Sequence, residues 1–184
     1  MSAQFQKAIE FAAQAHSGQT RKKTSIPYIS HPFAVAVMLQ QEQCDEHVII
    51  AGVLHDTVED TPVTIDEIHR EFGPRVAEIV AAVTEPNKSL SWEFRKTYMI
   101  DSIRTASHEV KFVSCADKLH NLATVIKTFH EIGDRVWERF SRGYEGQKWY
   151  TRAMVDSLFH GLEKKYQKPM FFEFKSIVED FFFK

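Results

Sequence analysis

Residues 47–60 read HVIIAGVLHDTVED. The apolar part of this stretch outruns an ordinary strand and mixes Ala, Leu and His into its β-branched residues, so it reads as a buried helix. The same reading extends outward on both sides. Before it, Phe5, Ile9, Ala12 and Ala13 fall at i, i+4, i+7 and i+8, giving a first helix that ends near His16 with Ser2 as N-cap. A second helix starts at Pro32, a favourable first position. After it, Thr64 and Glu67 form a capping box for TIDEIHREF, Gly73 closes that helix and Pro74 opens RVAEIVAAVTE. Further helices are expected over 91–107, 110–129 and 147–166, with a short amphipathic piece RVWERF at 135–140 and a last helix from Pro169. Gly143 and Gly146 are read as a break, and loops are expected at 17–30, 84–90 and 141–146.

Composition agrees with an all-α fold. The chain has 7 Gly and 6 Pro in 184 residues, well under the roughly 12% these two supply on average. With 43% apolar residues it can bury a sizeable core, and no repeat or flexible linker divides it. One domain over 1–184, built of about nine or ten helices, is the expectation. A net charge of −2 gives no global attraction to nucleic acid. No run approaches the length of a membrane span and the N-terminus is amphipathic, so a cytoplasmic protein with neither nucleic acid nor membrane as partner is expected. Cys44 and Cys115 stand far apart in apolar settings and read as small core residues.

The chemistry lies at the polar end of the opening stretch. Four of the six residues in HDTVED are ionisable directly after an apolar run, which is costly unless they are paired, neutralised or bound to a metal. His55 and Glu59 are i, i+4 and Asp56 and Glu59 are i, i+3, so the three share one helix surface, with Asp60 extending it. A solvated helix end explains the spacing equally well. His31 at a loop-to-helix junction and Asp117 inside the apolar run FVSCADKLHNLATVI are each ambiguous alone. Together with His55 and Asp56 they make a mixed N and O donor set suited to Mn²⁺, Fe²⁺ or Zn²⁺. Asn121, four residues after Asp117, shares its helix face.

The set His31, His55-Asp56 and Asp117 resembles the H…HD…D signature of HD-domain phosphohydrolases. The words GQTRKK, IPYISHP, AGVLHDTVEDT, FGPRVAEIVAAVT and ADKLHNLAT are similar, in order, to the hydrolase domain of the RelA/SpoT family over residues 8–128. Nothing in the chain resembles that family's synthetase or regulatory domains, so the stand-alone small alarmone hydrolases are the nearest likeness. The resemblance implies an all-α HD-domain bundle, a Mn²⁺ ion (or another divalent metal), and hydrolysis of the 3′-pyrophosphate of ppGpp or pppGpp to GDP or GTP and pyrophosphate, lowering the alarmone of the stringent response. It makes His31, His55, Asp56 and Asp117 metal ligands, and Glu59 and Asp60 the acids that orient or deprotonate water. Asn121 would then meet ribose or phosphate, and Arg21, Lys22 and Lys23 the diphosphates. The family's Arg-Lys…Gly element corresponds here to Lys22-Lys23 with Ser25 in the Gly place. A guanidinium stacks on a base where an ammonium does not. That departure keeps an adenosine alarmone or another 2′- or 3′-phosphorylated nucleotide as an alternative substrate.

Two features stay outside the chemistry. His47, His69, His130 and His160 read as surface residues, and His108 and His120 as surface or core-edge residues that the ligand set does not need. FFEFKSIVEDFFF holds six of the 15 phenylalanines; it reads as a helix packed across the domain, part of a 134–184 region that serves packing or assembly. A homodimer, or a non-catalytic module binding a nucleotide or a partner, is the other use for such a tail.

Overall fold

The computed structural model describes residues 2–184 and is all-α. In chain order the helices are α1 (Ala3–Ala15), α2 (Ser30–Gln41), α3 (Glu46–Leu54), α4 (Thr57–Asp60), α5 (Ile65–Phe72), α6 (Pro74–Val83), α7 (Trp92–Thr105), α8 (His108–Ile132), α9 (Gly143–Phe159) and α10 (Pro169–Phe182). Most starts follow from local chemistry. Ser2, Ser91 and Ser107 each accept a backbone N–H from the first turn they precede, at Phe5, Phe94 and Val110. Thr64 and Glu67 close the expected capping box. Pro74 opens α6 directly after Gly73, whose φ of +86° favours a residue without Cβ.

Several boundaries differ from the sequence reading. The helix through residues 47–60 breaks after Leu54: His55 and Asp56 form a turn before the single turn of α4. Ser107 caps α8 rather than ending α7. The RVWER part of RVWERF belongs to a 3₁₀ helix, Gly133–Arg139, that Phe140 follows in extended conformation. Gly143 and Gly146 do not break the chain but lie in the first turn of α9, which ends at Phe159 rather than 166. A Cβ on Gly146 would come 2.3 Å from Arg142 Cβ and 3.4 Å from the Trp92 ring, so this glycine serves a close approach inside the helix.

The core runs from Ala8 to Phe182. α3 contributes Val48, Ile50, Ala51, Gly52, Val53 and Leu54, all buried, and packs on α1, α2, α6 and α8. Burying one such Val or Leu side chain is worth about 1.5–3 kcal/mol, so α3 anchors the turn that follows it. Of the tail phenylalanines, Phe171, Phe174 and Phe182 are buried, whereas Phe172 and Phe183 stay exposed. Cys115 is buried and Cys44 half-buried, both as free thiols.

α2 and α3 meet at Gly52, where a Cβ would stand 2.4 Å from Cδ1 of the fully buried Leu39. Gly52→Ala is therefore expected to destabilise by about 1–3 kcal/mol through overpacking. Urea denaturation checks this, and an unchanged midpoint would mean that the two helices do not pack this closely.

Candidate metal centre and adjoining cavity

The break after Leu54 is what builds the site. His55 Nδ1 donates to the Gly52 carbonyl at 2.8 Å, and Thr57 Oγ1 donates to the Leu54 carbonyl at 2.7 Å, so the turn is tied to the end of α3. With its proton on Nδ1, His55 presents a bare Nε2 to the interior. That atom lies 3.1 Å from Asp56 Oδ2 and 3.7 Å from Asp117 Oδ1, yet it is buried with no hydrogen-bond partner. His31, from the start of α2, places Nε2 3.1 Å from Asp117 Oδ1 and 3.5 Å from Asp56 Oδ2. The four residues picked out by spacing and resemblance thus converge, from α2, the α3–α4 turn and the middle of α8. The ligand-type atoms of His31, His55 and Asp117 lie within 4.8 Å of one another.

The electrostatics of this cluster call for a cation. Burial alone would push His55 down, but the Asp56 and Asp117 carboxylates outweigh it and hold its pKa well above the ordinary value. Burial opposes the charge of Asp117 as well. Lys118 and the two imidazoles prevail and keep that carboxyl well below its usual range. Two buried anions drawing a proton onto a buried imidazole fit a divalent ion, which would supply the positive charge without a proton. The mixed imidazole and carboxylate donors suit a borderline metal.

Asp117 is also paired with its chain neighbour. Lys118 Nζ reaches Oδ2 at 2.6 Å while Oδ1 faces the cluster and accepts from Asn121 Nδ2 at 2.6 Å. Asn121 Oδ1 in turn accepts from Arg21 at 2.8 Å, and the guanidinium lies 5.6 Å from the Tyr28 ring centre. Tyr28 Oη sits 2.7 Å from Asp56 and 3.1 Å from Asp60. Arg21, Tyr28, Lys118 and Asn121 line a cavity of about 600 Å³ that also takes in Lys22, Lys96 and the rings of Trp92, Phe140 and Tyr150. Tyr28, Lys118 and Asn121 join it to the cluster, and its lining mixes cations with apolar side chains such as Leu122, Met154 and Phe174.

The remaining candidates are placed unequally. Lys22 lines the cavity, with its ammonium bonded to the Arg139 carbonyl and 5.9 Å from the Phe140 ring centre. Lys23 is exposed with φ +57° and does not line it. Glu59 does not join the ligand atoms: Oε2 accepts the Glu85 N–H at 3.2 Å and Oε1 faces Lys88 at 3.9 Å. Asp60 bonds Lys88 and Tyr28. Burial and Glu85, then Asp56, raise the carboxyl pKa of Glu59, which suits it to accept a proton.

Several residues in this shell escaped the sequence reading. Tyr28 stood in plain sight inside IPYISHP, where nothing but tertiary contact marks its hydroxyl. Lys96 and Glu85, paired beside the cavity, carried no motif. His120 was passed over, although its Nδ1 lies 2.8 Å from His31 Nδ1. Among the described residues no helix is long and apolar enough to cross a membrane.

Comparison with known proteins points to one family. The HD domain family model matches residues 8–142. A Homo sapiens protein named guanosine-3′,5′-bis(diphosphate) 3′-pyrophosphohydrolase MESH1 is 42% identical over 167 residues, covering 86% of this chain and 93% of its own length. Its Danio rerio namesake is 44% identical over 117 residues, a match that covers 62% of this chain and 64% of that protein. Among solved structures, a metazoan orthologue of SpoT, described as hydrolysing ppGpp and playing a role in starvation responses, superposes with a TM-score of 0.79 at 29% identity. That superposition covers 99% of this chain and 98% of the other. A Listeria monocytogenes EGD-e protein superposes with a TM-score of 0.79 at 42% identity, over 84% of this chain and 99% of that one. With these likenesses spanning most of its length, the chain belongs to the HD domain family, among its RelA/SpoT-type hydrolases.

Proposed function

We propose that this chain is a Mn²⁺-dependent pyrophosphohydrolase that removes the 3′-pyrophosphate of ppGpp or pppGpp, releasing GDP or GTP. The observation that carries this reading is the convergence of His31, His55, Asp56 and Asp117 beside a cavity lined by both cations and aromatic rings. A 3′-diphosphate calls for such cations and a base for such rings, and relatives named for the reaction are similar over most of the chain.

His31, His55, Asp56 and Asp117 would hold the metal. When bound, a divalent ion there lowers the pKa of water from about 15.7 towards 7 and offsets phosphoryl charge. The chain's own groups do the rest. Arg21, Lys22, Lys96 and Lys118 line the approach and neutralise the phosphates. Asn121, held between Asp117 and Arg21, fixes the polar edge nearest the ligand atoms. Glu59 takes the proton of the attacking water, its raised pKa suiting it to that task, while Tyr28 and Lys88 hold Asp60 in place beside it. Arg21, bonded to Asn121 and facing the Tyr28 ring, supplies near the cluster the planar cation that Lys22 lacks, so a guanine base can be stacked despite Lys22.

Incubating the protein with Mn²⁺ and either ppGpp or ppApp, then separating products by ion exchange, tests the reading. GDP and pyrophosphate are expected, with ppGpp preferred; no product from ppGpp at any metal concentration overturns it, and faster cleavage of ppApp reassigns the base. Glu59→Gln should lower kcat by about a hundred- to ten-thousandfold with metal content unchanged. Full activity in that variant would remove Glu59 from its role.

A further inference from the structure

We infer that His120 is a positioning residue for the metal ligand His31, a step that rests on the metal-dependent reading above. His31 Nδ1 and His120 Nδ1 are 2.8 Å apart, with ring centres 4.8 Å apart. At that distance the two nitrogens share one proton, so one ring donates and the other accepts. His31 turns its other nitrogen, Nε2, to Asp117 and Asp56. To ligate there, Nε2 must offer a lone pair, so the proton of His31 must sit on Nδ1 and His120 must accept it.

The two histidine ligands are therefore oriented by unlike means. His55 donates to the Gly52 carbonyl, an acceptor that no side-chain substitution removes. His31 depends on a second imidazole, which could equally present a donor and leave Nε2 of His31 protonated against Asp117. His120 is placed for this by its helix: it follows Asp117 by three residues and precedes Asn121, so α8 delivers a ligand, the partner of another ligand and the Asn bonded to Asp117 within two turns.

The test is metal binding in the absence of substrate. Metal-stripped protein is titrated with Mn²⁺ and the free ion is read by electron paramagnetic resonance. His120→Ala should weaken Mn²⁺ binding about ten- to a hundredfold. His120→Asn, whose side-chain oxygen can stand where Nδ1 stood, should bind within about threefold of the unaltered protein. Nitrogen-15 spectra of the unaltered protein loaded with Zn²⁺ should show His31 protonated at Nδ1 and His120 at Nε2, a readout that survives any failure of the variants to fold. Equal Mn²⁺ affinity in His120→Ala, equal losses in both variants, or the opposite tautomers would each overturn the inference while leaving the function standing. An unaltered protein that binds no Mn²⁺ overturns both.

Discussion

Asp117→Asn is expected to abolish bound metal and turnover together while leaving a folded protein. The substitution is isosteric, so Oδ1 still meets Asn121 and the two imidazoles, which lie 3.1 and 3.7 Å away. What disappears is one of the two buried anionic charges that make the centre attractive to a divalent ion. Losing several kcal/mol of transition-state stabilisation corresponds to a rate loss of about a thousandfold or more. Lys118 loses its carboxylate partner as well, but its side chain is one-fifth exposed and can turn to water, so melting should fall only modestly. Metal content by elemental analysis, pyrophosphate release and thermal melting by circular dichroism are the three measurements. Chelation of the unaltered protein should reproduce the catalytic loss and, unlike the substitution, be reversed by added Mn²⁺. An Asp117→Asn protein that keeps its metal and its rate would mean that the cluster is a buried ion-pair network with no catalytic part. The contrast with Glu59→Gln, which should keep metal and lose rate, separates holding the ion from moving the proton.

The elements that local chemistry decides were legible in the sequence. Ser2, Thr64 with Glu67, Pro74 and the apolar run of α3 all do what their types and spacing predict, because caps and buried faces depend on neighbours within one turn. The four candidate ligand residues, 86 positions apart at their extremes, are marked by ordered motifs. What stayed hidden depends on contacts between elements. The turn at His55 and Asp56 keeps φ, ψ of −57°, −34° and −94°, −7°, so no residue type announces it, yet Glu59 lies past it and meets Glu85 and Lys88 instead of the ligand atoms. Gly146 looks like a breaker by type but permits the approach of Arg142 and Trp92. His120 acts on a residue 89 positions away, and nothing in its own neighbourhood distinguishes it from a core-edge histidine.

Lys111→Met is expected to be the most destabilising single change outside the apolar core, with no effect on the chemistry of the protein that remains folded. Lys111 is 2% exposed, and among the described residues no carboxylate pairs with it. Its ammonium donates instead to the carbonyls of Arg104 and Ser157, at 3.2 Å each, and of His160. Those carbonyls belong to the last turn of α7 and the end of α9, where helical geometry leaves oxygens without partners and the helix dipoles are negative. One cation from α8 thus ties down the ends of two other helices. Burial, with Arg104 nearby, pulls the lysine pKa below its ordinary value, a desolvation cost that the three carbonyls offset. Met fills similar space without a donor, so up to three buried carbonyls lose a partner at about 1–3 kcal/mol each, partly recovered by water. A net loss of about 3–5 kcal/mol, or a melting point lower by roughly 10 °C at this chain length, follows. Lys175→Met is the control: its ammonium is exposed and 3.9 Å from Glu179, a surface pair worth under about 1 kcal/mol. Assayed well below its melting point, Lys111→Met should keep the unaltered kcat and metal content, because the ends of α7 and α9 that it joins do not touch the ligand cluster. A melting point within about 2 °C of the unaltered protein would show that the helix ends find other partners. A lowered kcat at full folding would show instead that α7 and α9 transmit their positions to the cavity wall, through Trp92, Lys96 and Tyr150.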